Sequence, residues 1–104
     1  MNKFILLLTI FLAQLTFAQN NRQNIRGVVT DKLTQITLPG ATVQIMNGSA
    51  SKGSVTDENG IYILTDVAPD RYEIKVSYIG YKDVFASNVV VTSGKEVVLD
   101  IAME

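Results

Sequence analysis

The chain has 104 residues, 47% of them hydrophobic, with nine Lys and Arg against ten Asp and Glu, and neither His nor Cys. Without His and Cys there is no Ser-His-Asp or Cys-His nucleophilic set, no histidine base, no usual zinc ligand set and no disulfide. A net charge of −1, with the basic residues scattered singly, excludes the footprint of a nucleic-acid or anionic-membrane surface.

The first segment is read apart from the fold. Met1-Asn2-Lys3 gives a charged start, Phe4 to Ala13 is almost wholly apolar, and Thr16-Phe17-Ala18 precedes Gln19. Those are the three parts of a secretory signal peptide over residues 1–18, with cleavage between Ala18 and Gln19. A spanning helix needs about 20 consecutive apolar residues, and Gln14 and Thr16 interrupt this run. Cleavage would leave 104 − 18 = 86 residues, enough for one hydrophobic core. We divide these into a flexible polar lead at 19–24 and a single domain at 25–104, with no membrane insertion after the signal is removed.

Downstream, the spacing predicts strands and turns throughout. Arg26 to Lys32 is the first strand, and Leu38-Pro39-Gly40 carries the Pro and Gly of a type II turn. Ala41, Val43 and Ile45 then share one face of a strand ending at Asn47-Gly48. Gly53–Asp57 and Ile61–Asp66 flank Asn59-Gly60, a strong hairpin signal. In the second arm Tyr62 and Leu64 face opposite to Ile61, Ile63 and Thr65. Pro69-Asp70 turns the chain into Arg71–Ile79, where Tyr72, Ile74, Val76 and Tyr78 alternate with Glu73, Lys75 and Ser77, the period-2 mark of a half-buried strand. Gly80 breaks it; Tyr81–Val91 and Glu96–Met103 complete the set, with Val97, Leu99, Ile101 and Met103 on one face. No segment shows capped helical spacing. Short strands at this interval predict an all-β, seven-stranded antiparallel β-sandwich.

Three clusters are candidates for chemistry. Asp57-Glu58-Asn59-Gly60 offers oxygen ligands, but Gly falls fourth and Ile61 stands where a calcium loop places a ligand, so a hairpin tip is the better reading. Glu73, Lys75 and Asp83 are candidate cross-strand pairs. Tyr62, Tyr72, Tyr78 and Tyr81 present two readings: core residues with hydroxyls at the edge, or an aromatic platform for sugar or peptide. No catalytic residue, cofactor site or metal site emerges.

In order, GVVTD (Gly27–Asp31), LPGATVQI (Leu38–Ile45), GSVTDENGIYIL (Gly53–Leu64), VAPDRYEIKVSYIGYK (Val67–Lys82) and VVVTSGKEVVLDIAM (Val89–Met103) resemble the carboxypeptidase regulatory-like domain. That is a transthyretin-like (prealbumin-like) sandwich of Ig-like Greek-key type, and the series is similar above all to the version at the N-terminus of SusC-type TonB-dependent outer-membrane receptors. The resemblance implies that Pro39-Gly40 and Asn59-Gly60 shape turns and that Tyr72, Ile74 and Val76 lie in the core. It implies no catalytic residue. It also implies export to the periplasm or outer membrane of a Gram-negative bacterium, with the plug and barrel of a receptor as protein partners. A barrel cannot be made from this length. The expectation is therefore a non-catalytic accessory domain, as the N-terminal piece or truncated copy of a receptor. The alternative is a free-standing exported module that binds glycan or protein at the envelope.

Overall fold

A computed structural model describes residues 21–47 and 52–104. The signal segment, the cleavage point at Ala18 and Gln19, and the Gly48 half of the Asn47-Gly48 turn lie outside the described residues. Strands β1 (Gln23–Asp31), β2 (Thr42–Ile45), β3 (Gly53–Val55), β4 (Ile61–Val67), β5 (Asp70–Ser77), β6 (Val84–Val91), β7 (Val97–Val98) and β8 (Ile101–Met103) follow one another without a helix among the described residues. They form two four-stranded sheets, one ordered β4-β1-β7 with β8 also on β1, the other β3-β2-β5-β6. β7 and β8 both lie along β1, and counted as one broken strand they give the seven expected.

Alternation decides which side chains meet between the sheets. β1 turns Ile25 and Val29 inward, β2 Val43 and Ile45, β4 Tyr62 and Leu64, and β5 Tyr72, Ile74 and Val76, all buried. The C-terminal run adds Ile101 and Met103. Each such residue removed from water contributes roughly 1.5–3 kcal/mol, which for a domain without disulfides is where its stability comes from.

Four details depart from the sequence reading. The first strand starts at Gln23, three residues before Arg26, because Gln23 pairs with Val67 across a bulge in β4. The sixth strand begins at Val84 and not Tyr81, since the Tyr81 N–H turns back to the Tyr78 carbonyl at 3.1 Å. The ladders are not all antiparallel: β1 runs parallel to β7 and to β8, pairing Ile25 with Val97 and Val29 with Ile101. The chain crosses from β6 in one sheet to β7 in the other, so the C-terminal run arrives in the same direction as β1. The fourth departure is at Asn59-Gly60. Its flanking strands do not form a hairpin, because β3 pairs with β2 in one sheet and β4 with β1 in the other. The turn is a corner between layers.

Thr56 explains that corner. It is buried, and its hydroxyl accepts from the Ala41 N–H (2.8 Å) while donating to the Leu38 carbonyl (2.6 Å). Its own N–H and carbonyl pair with Ala41 and Gly40. Those bonds hold the chain beyond β3 against the β1–β2 loop, after which the Gly60 carbonyl accepts from Val29 at 2.9 Å and starts β4 in the opposite sheet. Thr56→Val preserves shape but leaves the Ala41 N–H and the Leu38 carbonyl without this partner. It is expected to cost about 1–3 kcal/mol. Urea melts check this, and Thr56→Ser, which keeps the hydroxyl, is expected to lose less.

Candidate interaction surface

The four candidate tyrosines resolve into core and edge. Tyr62 is 1% exposed and its hydroxyl donates to the Leu99 carbonyl at 2.6 Å. Burial and, secondarily, the Asp100 carboxylate push its pKa above the ordinary 10.0. A residue so enclosed presents no ring to a sugar, which corrects the platform reading for Tyr62. Tyr72 is likewise buried, with its hydroxyl on the Ala68 carbonyl at 2.7 Å, and burial first, then Asp70, raises its pKa. Tyr78 and Tyr81 sit half-buried at one end of the sandwich, edge to face, with centroids 5.5 Å apart and planes at 62°.

The other clusters serve the fold. Asp57 Oδ1 accepts from the N–H groups of Asn59 (2.8 Å) and Ile61 (3.0 Å), and the Gly60 N–H returns to the Asp57 carbonyl. The carboxylate closes its own turn, as the turn reading of this tetrapeptide expects. No group of three metal-ligating side chains occurs among the described residues. Lys75 and Asp83 meet at 3.7 Å, both partly exposed, so the pair contributes under about 1 kcal/mol. Glu73 joins no ion pair among the described residues.

The end that carries Tyr78 and Tyr81 gathers the β1–β2 loop, the β5–β6 loop and the C-terminal residues. Asp31 ties them together. Its Oδ1 accepts from the N–H groups of Leu33 (2.8 Å) and Thr34 (2.9 Å), and its Oδ2 accepts from the Tyr81 hydroxyl (2.7 Å). The Met103 carbonyl accepts from the Lys32 N–H and the Glu104 carbonyl from the Lys82 N–H, each at 2.8 Å. Both loops are thus strapped to the C-terminal strand. On this pinned base Leu33 is 88%, Ile36 65% and Ile79 96% exposed. Ile79 also borders an open hollow of about 370 Å³ with Gly40, Thr42, Ser77 and Tyr78.

Large aliphatic side chains held in water by ordered loops suit contact with another protein surface. The sequence reading did not single out Leu33, Ile36 or Ile79. The available signal was their place in turn segments, where polar residues are the rule.

Asp31 also makes the end pH-sensitive. The Thr34 N–H, then the Tyr81 hydroxyl and the Leu33 N–H, hold its carboxyl below the ordinary 3.8, and the same bond raises the Tyr81 pKa. A lowered folded-state pKa means the unfolded chain binds the proton first as pH falls. The stabilisation is therefore complete above about pH 4 and is lost below it. In acid titrations followed by circular dichroism, Asp31→Asn is expected to be less stable than the parent at neutral pH and to show a shallower acid limb.

Two facing four-stranded sheets with a tyrosine-edged loop end define a β-sandwich domain. The chain belongs to the carboxypeptidase regulatory-like domain family, whose profile matches residues 24–104. No curated protein matches it in sequence. Among solved structures, it is similar to a cohesin–X-dockerin complex from Acetivibrio cellulolyticus, a C-terminal interface mutant, at 26% identity and TM-score 0.64, over 78% of this chain and 56% of that one. It also resembles a putative carbohydrate-binding protein from Bacteroides uniformis, at 16% identity and TM-score 0.65, over 79% of this chain and 41% of that one. The Bacillus anthracis TIE protein matches at 20% identity and TM-score 0.63, over 80% of this chain and 16% of that one. The chain thus spans about half or less of these proteins, and the last two likenesses concern the fold alone.

Proposed function

We propose that the chain is a non-catalytic accessory domain of a TonB-dependent outer-membrane nutrient receptor. In this reading residues 1–18 direct export and are cleaved between Ala18 and Gln19, and the sandwich stands in the periplasm beside the receptor's plug and barrel. The observation that carries the reading is the family match over 24–104, joined to the order of motifs from GVVTD to VVVTSGKEVVLDIAM that resembles the receptor-borne version. The strapped loop end, with Leu33, Ile36 and Ile79 exposed, is the surface we assign to the protein contact.

The second reading, a free-standing envelope module that binds protein or glycan, draws support from the 26% identical likeness to a cohesin–X-dockerin complex. The test is the gene sequence beyond the codon for Glu104. A frame that runs on into a plug and barrel supports the receptor reading, whereas a stop codon there overturns it and leaves the module.

A further inference from the structure

We infer that β6 is a self-pairing edge, through which two copies of this domain join their β3-β2-β5-β6 sheets into one continuous sheet across a two-fold axis. The sheet edges differ in how they are protected. β3 and β7 have only three and two residues. β4 is long, but the Lys52 ammonium bonds the carbonyls of Thr65 and Asp66, and the Arg22 guanidinium also reaches the Asp66 carbonyl. Short strands and lysines are two of the ways sandwiches blunt their edges, and a bulge, which β6 carries at Asn88, is a third. β6 has eight residues, and among the described residues no side chain bonds its backbone. Its sequence, VFASNVVV, carries no charge. Phe85 and Val90 stand outward on it, 56% and 51% exposed.

The occupant follows from a bulge. Against β5, the register shifts by one between Tyr72–Val89 and Ile74–Ala86, and Asn88 takes a φ of 59° there. As a result Phe85 and Val90, five residues apart, both face outward, and Ala86 and Val89, three apart, both belong to the inward face. In a regular strand those pairs would face opposite ways.

Consider a second copy, antiparallel, with the two-fold axis between residues 87 and 88. Val84 then lies opposite the other copy's Val91, Phe85 opposite Val90, and Ala86 opposite Val89. Every pair matches face to face on both sides of the axis, because each strand brings the same extra residue to the same level. The symmetry makes the Phe85–Val90 contact twice, an aromatic against a β-branched side chain. Asp83 falls opposite Thr92 and Lys82 opposite Ser93, so no like charges meet.

The test is the mass of the purified chain by sedimentation equilibrium from micromolar to millimolar concentration, with circular dichroism to confirm folding of each variant. The expected species is a dimer. Phe85→Glu and Val90→Lys, both at exposed positions, should each weaken it by roughly tenfold or more. Combining the two substitutions sets a carboxylate opposite an ammonium in both halves of the interface and should restore association. Ile61→Lys, on the shielded β4 edge, should change nothing. A chain that stays monomeric throughout overturns the inference. So does a dimer insensitive to Phe85→Glu, or a double variant no better than the single ones, which would refute this register.

Discussion

Gly27→Ala is expected to abolish stable folding, or to remove roughly 4–5 kcal/mol, at the top of the range for single substitutions. Gly27 lies in β1 opposite Tyr62 of β4, on the face over which the C-terminal chain bends. A Cβ built there would sit 1.9 Å from the Leu99 carbonyl oxygen and 3.1 Å from the Tyr62 ring. The obstacle is backbone, so no rotamer relieves it. Leu99 is fixed in turn, its N–H on the Arg26 carbonyl at 2.8 Å and its own carbonyl on the Tyr62 hydroxyl. The methyl group would separate β7 and β8 from β1 and release Ile101 and Met103 from the core. A domain of this size has only about 4–12 kcal/mol in total. The check is a urea melt beside Gly94→Ala, whose Cβ meets nothing within 4 Å and which should melt close to the parent.

The same region shows which parts of the fold were legible. Alternation in Arg71–Ile79 was readable because burial rises and falls at every residue from Arg71 to Ser77, and Tyr72, Ile74 and Val76 are buried as the period demands. The inward set Val97, Leu99, Ile101 and Met103 was readable too, all being at least partly buried. The period says nothing about a strand's partner or its direction, so the parallel pairing with β1 was not. The break between β7 and β8 left a trace in Asp100, the one charge in an apolar run. Its carboxylate accepts from the Val28 N–H at 3.0 Å, taking the place of a ladder carbonyl. Asn59-Gly60 was legible as a turn. That the turn changes sheets depends on the Thr56 hydroxyl meeting Leu38 and Ala41, residues 15 to 18 positions away, which no local pattern contains. The bulges at Asp66 and Asn88, both with φ of 59°, were likewise hidden, since each is defined by the strand opposite. At the loop end, the link between Asp31 and Tyr81 spans 50 positions and was equally out of reach.

Tyr62→Ala separates a binding tyrosine from a structural one, and the expected loss is structural. Truncating a ring that is 1% exposed removes its burial and leaves a cavity between the sheets, together costing about 3–5 kcal/mol. The Leu99 carbonyl also loses its donor, though water entering the space would recover part of that bond. Tyr62→Phe isolates the hydroxyl: the ring stays, only the 2.6 Å bond to Leu99 goes, and the expected cost falls to about 1–2 kcal/mol. The alkaline limb adds a second readout. Because the folded-state pKa is raised, the unfolded chain loses its proton first, so this tyrosine's contribution is complete below about pH 10 and declines above it. Tyr62→Phe should therefore flatten the fall in stability above about pH 10 as well as lower the plateau at neutral pH. A surface platform would behave in the opposite way, with Tyr62→Ala melting like the parent and failing only in ligand retention. Thermal or urea melts of the two variants at neutral pH, followed by the phenylalanine variant at alkaline pH, decide between these outcomes.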